Sequence, residues 1–378
     1  MIGLTRQIAQ DNASKMVCLL LAAGTLTACK HNTTPTMDTK GLWIANGTNV
    51  IEYIPSQLTG GGTGATVPHL AINSAAFGAP QGVTFDKAGN LWVMDPEGMV
   101  NGVKTPALFK FTAAQLAALK TNSTPDPAAT ITSTALAFPQ QSVFDANGNQ
   151  WVSDHDGNKV NVFTAAQLAM TGLNPTIPVV SITSASFNGP LGIVFDAAGN
   201  LWVANNGGVM GANGVASATG TTIVEFAAKN LPMVPATGMV TPDMTPDVIL
   251  SDNGAGSVQG PWALAFDTAG NLWSNNAAPP FVVEEFMKTS LAMTAAPMPA
   301  VTISSTMVGG NPTLDGPNGL CFDDAGDIAN TDAENAFGVD FYTKGQLMTG
   351  APIPKTFIIG AATTLNAPAG CNFGPAVN

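Results

Sequence analysis

The side chains that could do chemistry in this chain fall at equivalent places of a recurring segment, and few of them are charged. Aligning residues 80–95 with 139–154, 190–205, 261–276 and 317–332 puts Gln81, Gln140, Leu191, Trp262 and Asn318 at one shared position. Ala369 takes that place in a last, shortened copy. Gln81, Gln140, Trp262 and Asn318 around one mouth could stack against and hydrogen-bond a carbohydrate, another small polar ligand or a protein segment, or could pack together as a plug in an axial channel. The ring contains no carboxylate, and a hard cation wants oxygen ligands that include charge. A second ring, Asn46, Asp95, Asp154, Asn205, Asn276 and Asp332, ends each segment. It recurs in every copy, which fits backbone capping at strand ends better than a binding site, because a site needs asymmetry.

Histidine and cysteine offer less. His31, His69 and His155 are the three histidines. His155 lies in Asp154-His-Asp-Gly-Asn158, a composition suited to a surface loop. Cys321 and Cys371 fall one residue apart in successive copies, so they should point to opposite faces of their strands. That offset favours two free buried thiols over a disulfide, and neither has the spacing of a metal knuckle.

The elements that must position these residues repeat as well. Phe-Asp pairs begin at 85, 144, 195, 266 and 322, so one repeat spans roughly 50–70 residues, enough for four short strands. Gly-Val-Thr-Phe or Gly-Ile-Val-Phe reads as an inner strand buried on both faces. Asp-x-x-Gly-Asn reads as a tight turn, and Leu-Trp-Val as a second strand whose tryptophan (92, 151, 202, 273) packs between neighbours. A third strand ends in an aromatic residue. Thr-x-x-Gln-Leu then follows at 112, 164 and 343, a capping-box pattern that predicts a short helical turn before a fourth, outer strand. Residues 41–58 match strands two and three without an inner strand, and 368–373 match an inner strand with nothing after it. These readings predict an all-β, six-bladed β-propeller over residues 41–378, its four-stranded antiparallel blades closed by one blade shared between the termini. Long connections at 96–106, 207–220 and 307–316 all fall on one face, where function is expected.

Composition agrees with this class. With 40 glycines, 27 prolines, 45% hydrophobic and 10% charged residues, the chain is too apolar for disorder and too rich in turn formers for a helical protein. Thirteen basic residues against a net charge of −12 exclude a nucleic-acid partner.

Pro-x-Gly-Ile-x-Phe-Asp-x-x-Gly-Asn-Leu-Trp-Val-Ala-Asn followed by Val-x-Val-Phe resembles the NHL repeat of β-propeller proteins over residues 41–375. Pro317-Asn-Gly-Leu320 is similar to a metal-binding motif of the gluconolactonase/regucalcin propellers. That resemblance would make Asn318 a ligand to Ca²⁺ or another divalent cation in a metal-dependent hydrolase or lactonase. The next copy departs from that pattern, with Ala369 where the family has an acidic ligand. The Gly-x-Leu-Trp repeats also look like those of the streptogramin lyases, which use a histidine near the inner strands, where this chain has none of its three. The expectation is therefore a non-enzymatic scaffold without a cofactor, with the metal-dependent hydrolase as the alternative.

At the N-terminus, Arg6 and Lys15 precede an apolar stretch, 16–24, that is too short to span a bilayer. Leu26-Thr-Ala-Cys29 resembles a lipoprotein lipobox. Residues 1–28 are expected to be a signal peptide, Cys29 the lipidated residue, and 29–40 a tether. The product would be exported and lipid-anchored in the cell envelope, at the outer membrane since Lys30 rather than aspartate follows the cysteine. Acyl chains would be its sole membrane contact. Cys29→Ser should then release a folded, soluble protein from membranes. Fractionation after a high-salt wash checks this, and a variant that stays in the membrane pellet would contradict the lipobox.

Overall fold

The computed structural model describes residues 40–207, 221–334, 337–347, 350 and 352–377. The expected signal segment, Cys29 and the tether up to residue 39 lie outside these residues, as does 208–220 of one long connection.

One local motif generates the architecture. In the turn after the first complete inner strand, Asp86 Oδ1 accepts the N–H groups of Ala88 and Asn90 at 2.9 and 3.0 Å. Its Oδ2 accepts Asn90 Nδ2 at 2.8 Å and the Trp92 indole N–H at 3.1 Å. Gly89 takes φ +78°, which a side chain would disfavour. The same four bonds recur around Asp145, Asp196 and Asp267. Asn90 Oδ1 then accepts the N–H of Ala113, fixing the short helix Ala113–Ala117. Thr112 and Gln115 cap that helix reciprocally, and Thr164 and Gln167 do the same for Ala165–Leu168. Turn, second strand and helical connection are thus tied to a single aspartate.

Six antiparallel sheets result, in a propeller arrangement. Blade 1 runs from Pro368–Pro375 inside through Lys40–Asn46 and Asn49–Tyr53 to Leu70–Ile72. Both ends of the described chain therefore share a sheet, with Leu42 opposite Phe373 and Ile44 opposite Cys371. Lys40 already belongs to that strand rather than to a tether. The inner strands of blades 2 to 6 are Gly82–Phe85, Pro139–Phe144, Pro190–Phe195, Pro261–Phe266 and Pro317–Phe322.

Uniform four-stranded blades are not what forms. Three sheets have five strands, because the connection before each outer strand reaches back and adds a parallel strand to the preceding blade. Asn122–Ser123 lies on Leu70–Ile72, Gly172–Pro175 on Ala129–Thr132, and Gly62–Gly64 on Thr356–Ile359. Shorter parallel bridges do the same at Val180–Val240, Thr183–Asp243 and Leu250–Ala295. Ser304 N–H donates to Gly350 O at the remaining blade. Each outer edge is thereby covered in part by its successor, which reduces the free N–H and C=O groups that would invite edge-to-edge pairing.

The blades meet through aromatic joints. Trp43, Trp92, Trp151, Trp202 and Trp273 are at most 3% exposed, and each ring lies against the phenylalanine of the next inner strand (Phe85, Phe144, Phe195, Phe266, Phe322). Centroid separations run from 5.5 to 6.3 Å, within the range for edge-to-face packing. Inner strands approach so closely that a Cβ on Gly82 would lie 2.2 Å from Gln140 O, and one on Gly192 2.7 Å from Trp262 O. The sixth joint differs. Blade 6 has Ala329 where the others have tryptophan, and a Cys321–Cys371 disulfide crosses to blade 1 there.

That bond corrects the expectation of free thiols. The two cysteines do point to opposite faces of their own strands. Blades, however, stack face to face around the axis, so opposite faces of neighbouring blades look at each other. A one-residue offset is the parity that lets the sulfurs meet, and the Cα atoms are 6.1 Å apart.

Several carboxyl groups lie buried in this framework, and burial outweighs what favours their charged form. Burial pushes Glu52 and Glu225 up to about 7, the latter aided by Asp247 and Asp196, and pushes Glu284 up to about 8. Asp332 and Asp340, both buried and adjacent, are held above the ordinary carboxylate range, Asp332 by burial and the nearby Asp315, Asp340 by burial and the Asp332 carboxylate. A group that binds its proton more tightly in the fold than in the unfolded chain stabilises the fold at low pH and loses that contribution as pH rises through its folded pKa. Melting temperature should therefore rise as pH falls from about 8.5 to about 5.5. Glu284→Gln should flatten part of the slope. A melting temperature that falls or stays constant over this interval would contradict these environments.

Candidate functional site

The axis of the ring has two unlike halves. Toward the face where the inner strands begin, Gln140, Leu191, Trp262 and Ala369 are buried, while Gln81 and Asn318 are half-buried. Trp262 packs against Leu191, Ala277 and Ala278, so its ring is 2% exposed and forms an apolar plug. Of the four residues expected to share a mouth, Gln81 and Asn318 keep side chains open to solvent, whereas Gln140 and Trp262 form the floor. Gln140 Nε2 is buried without a hydrogen-bond partner, and Gln81 Nε2 donates to Ala79 O at 3.3 Å.

Beneath them lies a girdle that the repeat pattern does not announce. Ser153 Oγ donates to Leu191 O at 2.5 Å, Asn275 Nδ2 to Gly319 O at 3.2 Å, and Thr331 Oγ1 to Ala369 O at 2.6 Å. Gly370 N–H donates to Gln81 O at 2.8 Å. Each bond satisfies a carbonyl on the inner edge of the following blade. The sequence carries the girdle as a polar residue second from the end of the second strand in three copies, where the other copies have Ala45, Met94 and Ala204.

The ring of Asx residues is spent on backbone. Asp95 accepts the N–H groups of Gly78, Ala79 and Glu97 at 2.8–3.0 Å, and Asp154 those of Ala137 and Phe138. Asn205 accepts Asn188 N–H, Asp332 accepts Asp315 N–H, and Asn46 accepts Asn366 N–H. Each fastens the loop that enters its own blade's inner strand.

His155 is not on the surface. It is 3% exposed, because its N–H donates to Phe138 O and folds the turn back over the end of the blade. Nδ1 lies 2.6 Å from Asp156 Oδ1, Nε2 lies 3.3 Å from Asn206 Oδ1, and the Phe138 ring meets it edge-on. A buried imidazole held between an acid and an amide is a structural clamp joining blades 3 and 4.

The divalent-cation alternative does not fit these residues. Asn318 shares its level with amides and apolar side chains, and among the described residues no group of three or more His, Cys, Asp or Glu could hold a metal ion.

The same face carries the asymmetric loops. Two of them form extra hairpins, Met99–Val100 with Val103–Lys104, and Met307–Val308 with Asn311–Pro312. Lys104 pairs with Glu97 across the first. The opposite face presents the near-identical aspartate turns.

No protein-family model matches the chain, and no curated protein matches it in sequence. Solved structures do resemble it. A protein of unknown function from Bacteroides caccae superimposes with a TM-score of 0.53 at 9% identity, covering 89% of this chain and 100% of that one. A putative 6-phosphogluconolactonase from Bacteroides fragilis gives 0.49 at 12% identity, covering 89% and 99%. A streptogramin B lyase gives 0.41 at 12% identity, covering 74% and 75%. At such identities the likeness concerns the fold alone: this chain is a β-propeller.

Proposed function

We propose that the protein is an exported, lipid-anchored propeller that works as a binding scaffold rather than an enzyme. It takes a small polar ligand, a carbohydrate or a protein on the face that carries its variable loops. The observation behind this reading is the contrast between the two faces. One repeats the same aspartate-bonded turn from blade to blade; the other carries two added hairpins beside half-open Gln81 and Asn318. Variation placed on one face of a rigid scaffold is the usual mark of recognition. The Cys321–Cys371 disulfide supports an oxidising, extracytoplasmic setting. No observation favours the metal-dependent hydrolase.

Replacing residues 96–106 by Gly-Thr, the connection that joins Asn46 to Asn49 in blade 1, tests the scaffold reading. Capture of envelope partners by the purified protein should be lost, while the melting temperature stays within about 2 °C of the parent. The turn-face variant Lys87→Ala should capture as the parent does. Capture that survives the loop replacement but fails in Lys87→Ala would place recognition on the wrong face.

A further inference from the structure

Past the plug, the later halves of all six inner strands enclose an axial well of about 260 Å³. It lies toward the aspartate turns, the end of the axis away from the variable loops. Three features set it apart from a packed channel.

The first is unspent hydrogen-bonding capacity. Each inner strand pairs on one side only, so its other edge faces the axis. In the plugged half the carbonyls on that edge are taken up by Ser153, Asn275, Thr331 and Gly370. In the well, Thr84, Gln141 and Asn372 line the wall, and among the described residues their side chains bond to no other residue. Ser142 Oγ receives Gln150 Nε2 at 2.9 Å and keeps acceptor capacity toward the space. The second feature is neutrality: no charged side chain lines the well. A charged ligand would lose its hydration there without gaining a counter-charge. The third is size and access. The volume equals about nine waters, hence a ligand on the order of ten non-hydrogen atoms. Gln141, Ser142 and Asn372 are half-buried, so water reaches the wall.

Hydroxyl and amide groups here alternate with the aliphatic surfaces of Val143 and Leu264. A ring that carries hydroxyls on its edge and C–H bonds on its faces matches that alternation. We propose that the axial well is a binding site for a small neutral polyhydroxylated molecule, a monosaccharide or cyclic polyol. This site is separate from the variable-loop face and stands whether or not that face binds a partner.

Calorimetric titration of the full chain with D-glucose, myo-inositol and gluconate tests the proposal. At least one neutral probe should give a saturable isotherm at or below about 10 mM, with gluconate at least tenfold weaker. The near-isosteric Thr84→Val, and separately Asn372→Leu, should each weaken binding about tenfold by removing a hydrogen bond. Val143→Phe should abolish binding by filling the space, and Asn318→Ala at the other end should leave it unchanged. Absence of binding by both neutral probes would overturn the proposal. So would an affinity that Thr84→Val, shown folded by circular dichroism, leaves intact, or one lost in Asn318→Ala.

Discussion

The tryptophan joint is the contact on which the rest depends. Its indole N–H is bonded to the aspartate of its own blade's turn, and its ring lies edge-on to the phenylalanine that opens the next blade's turn. One side chain thus couples the turn, the second strand and the neighbouring sheet. Removing a buried aromatic of this kind costs about 3–5 kcal/mol. Trp43 shows how closely the arrangement is kept. Blade 1 has no aspartate turn after its inner strand, and the indole donates instead to Pro375 O, at the end of that strand, at 3.2 Å. Where the sixth joint has Ala329, the ring is held by a covalent bond.

How legible each element was follows from what signals it. The turns, the second strands and the tryptophans were readable because the side chains that make them appear in the sequence as a pattern. Asp86, Gly89, Asn90 and Trp92 are all consumed in one local network, so local spacing suffices. The parallel strands that cover the blade edges left no such pattern. Gly62–Gly64 and Asn122–Ser123 are held by backbone bonds alone, and polar connectors of that composition look like loops. The Cys321–Cys371 pair is hidden for a related reason: parity within one strand places the sulfurs apart, whereas the bond depends on how two sheets face each other. His155 sits in residues typical of a surface turn, and only the tertiary fold-back over Phe138 buries it.

The candidate sites show the same limit. A shared position in the repeat brought Gln81, Gln140, Trp262 and Asn318 to one level of the axis, yet their exposure depends on the volume of each neighbour. Trp262 and Leu191 are large enough to close the axis, which leaves the amides on either side unequal. Closing one end and leaving the other open gives the axis of the ring two unlike ends. One is built from loops that vary between blades. The other is built from the axial edges of the inner strands, where a few neutral polar side chains, Thr84, Gln141, Ser142 and Asn372, stand among apolar ones.

Because each blade is held by its neighbours, the ring should behave as one cooperative unit rather than six separable sheets. Deleting residues 366–378 and following backbone hydrogen exchange tests this most directly. The account predicts that protection collapses in blades 3 and 4, which contain neither terminus, to the same extent as in blades 1 and 6. Retained protection in blades 3 and 4, with an unchanged melting temperature, would contradict it.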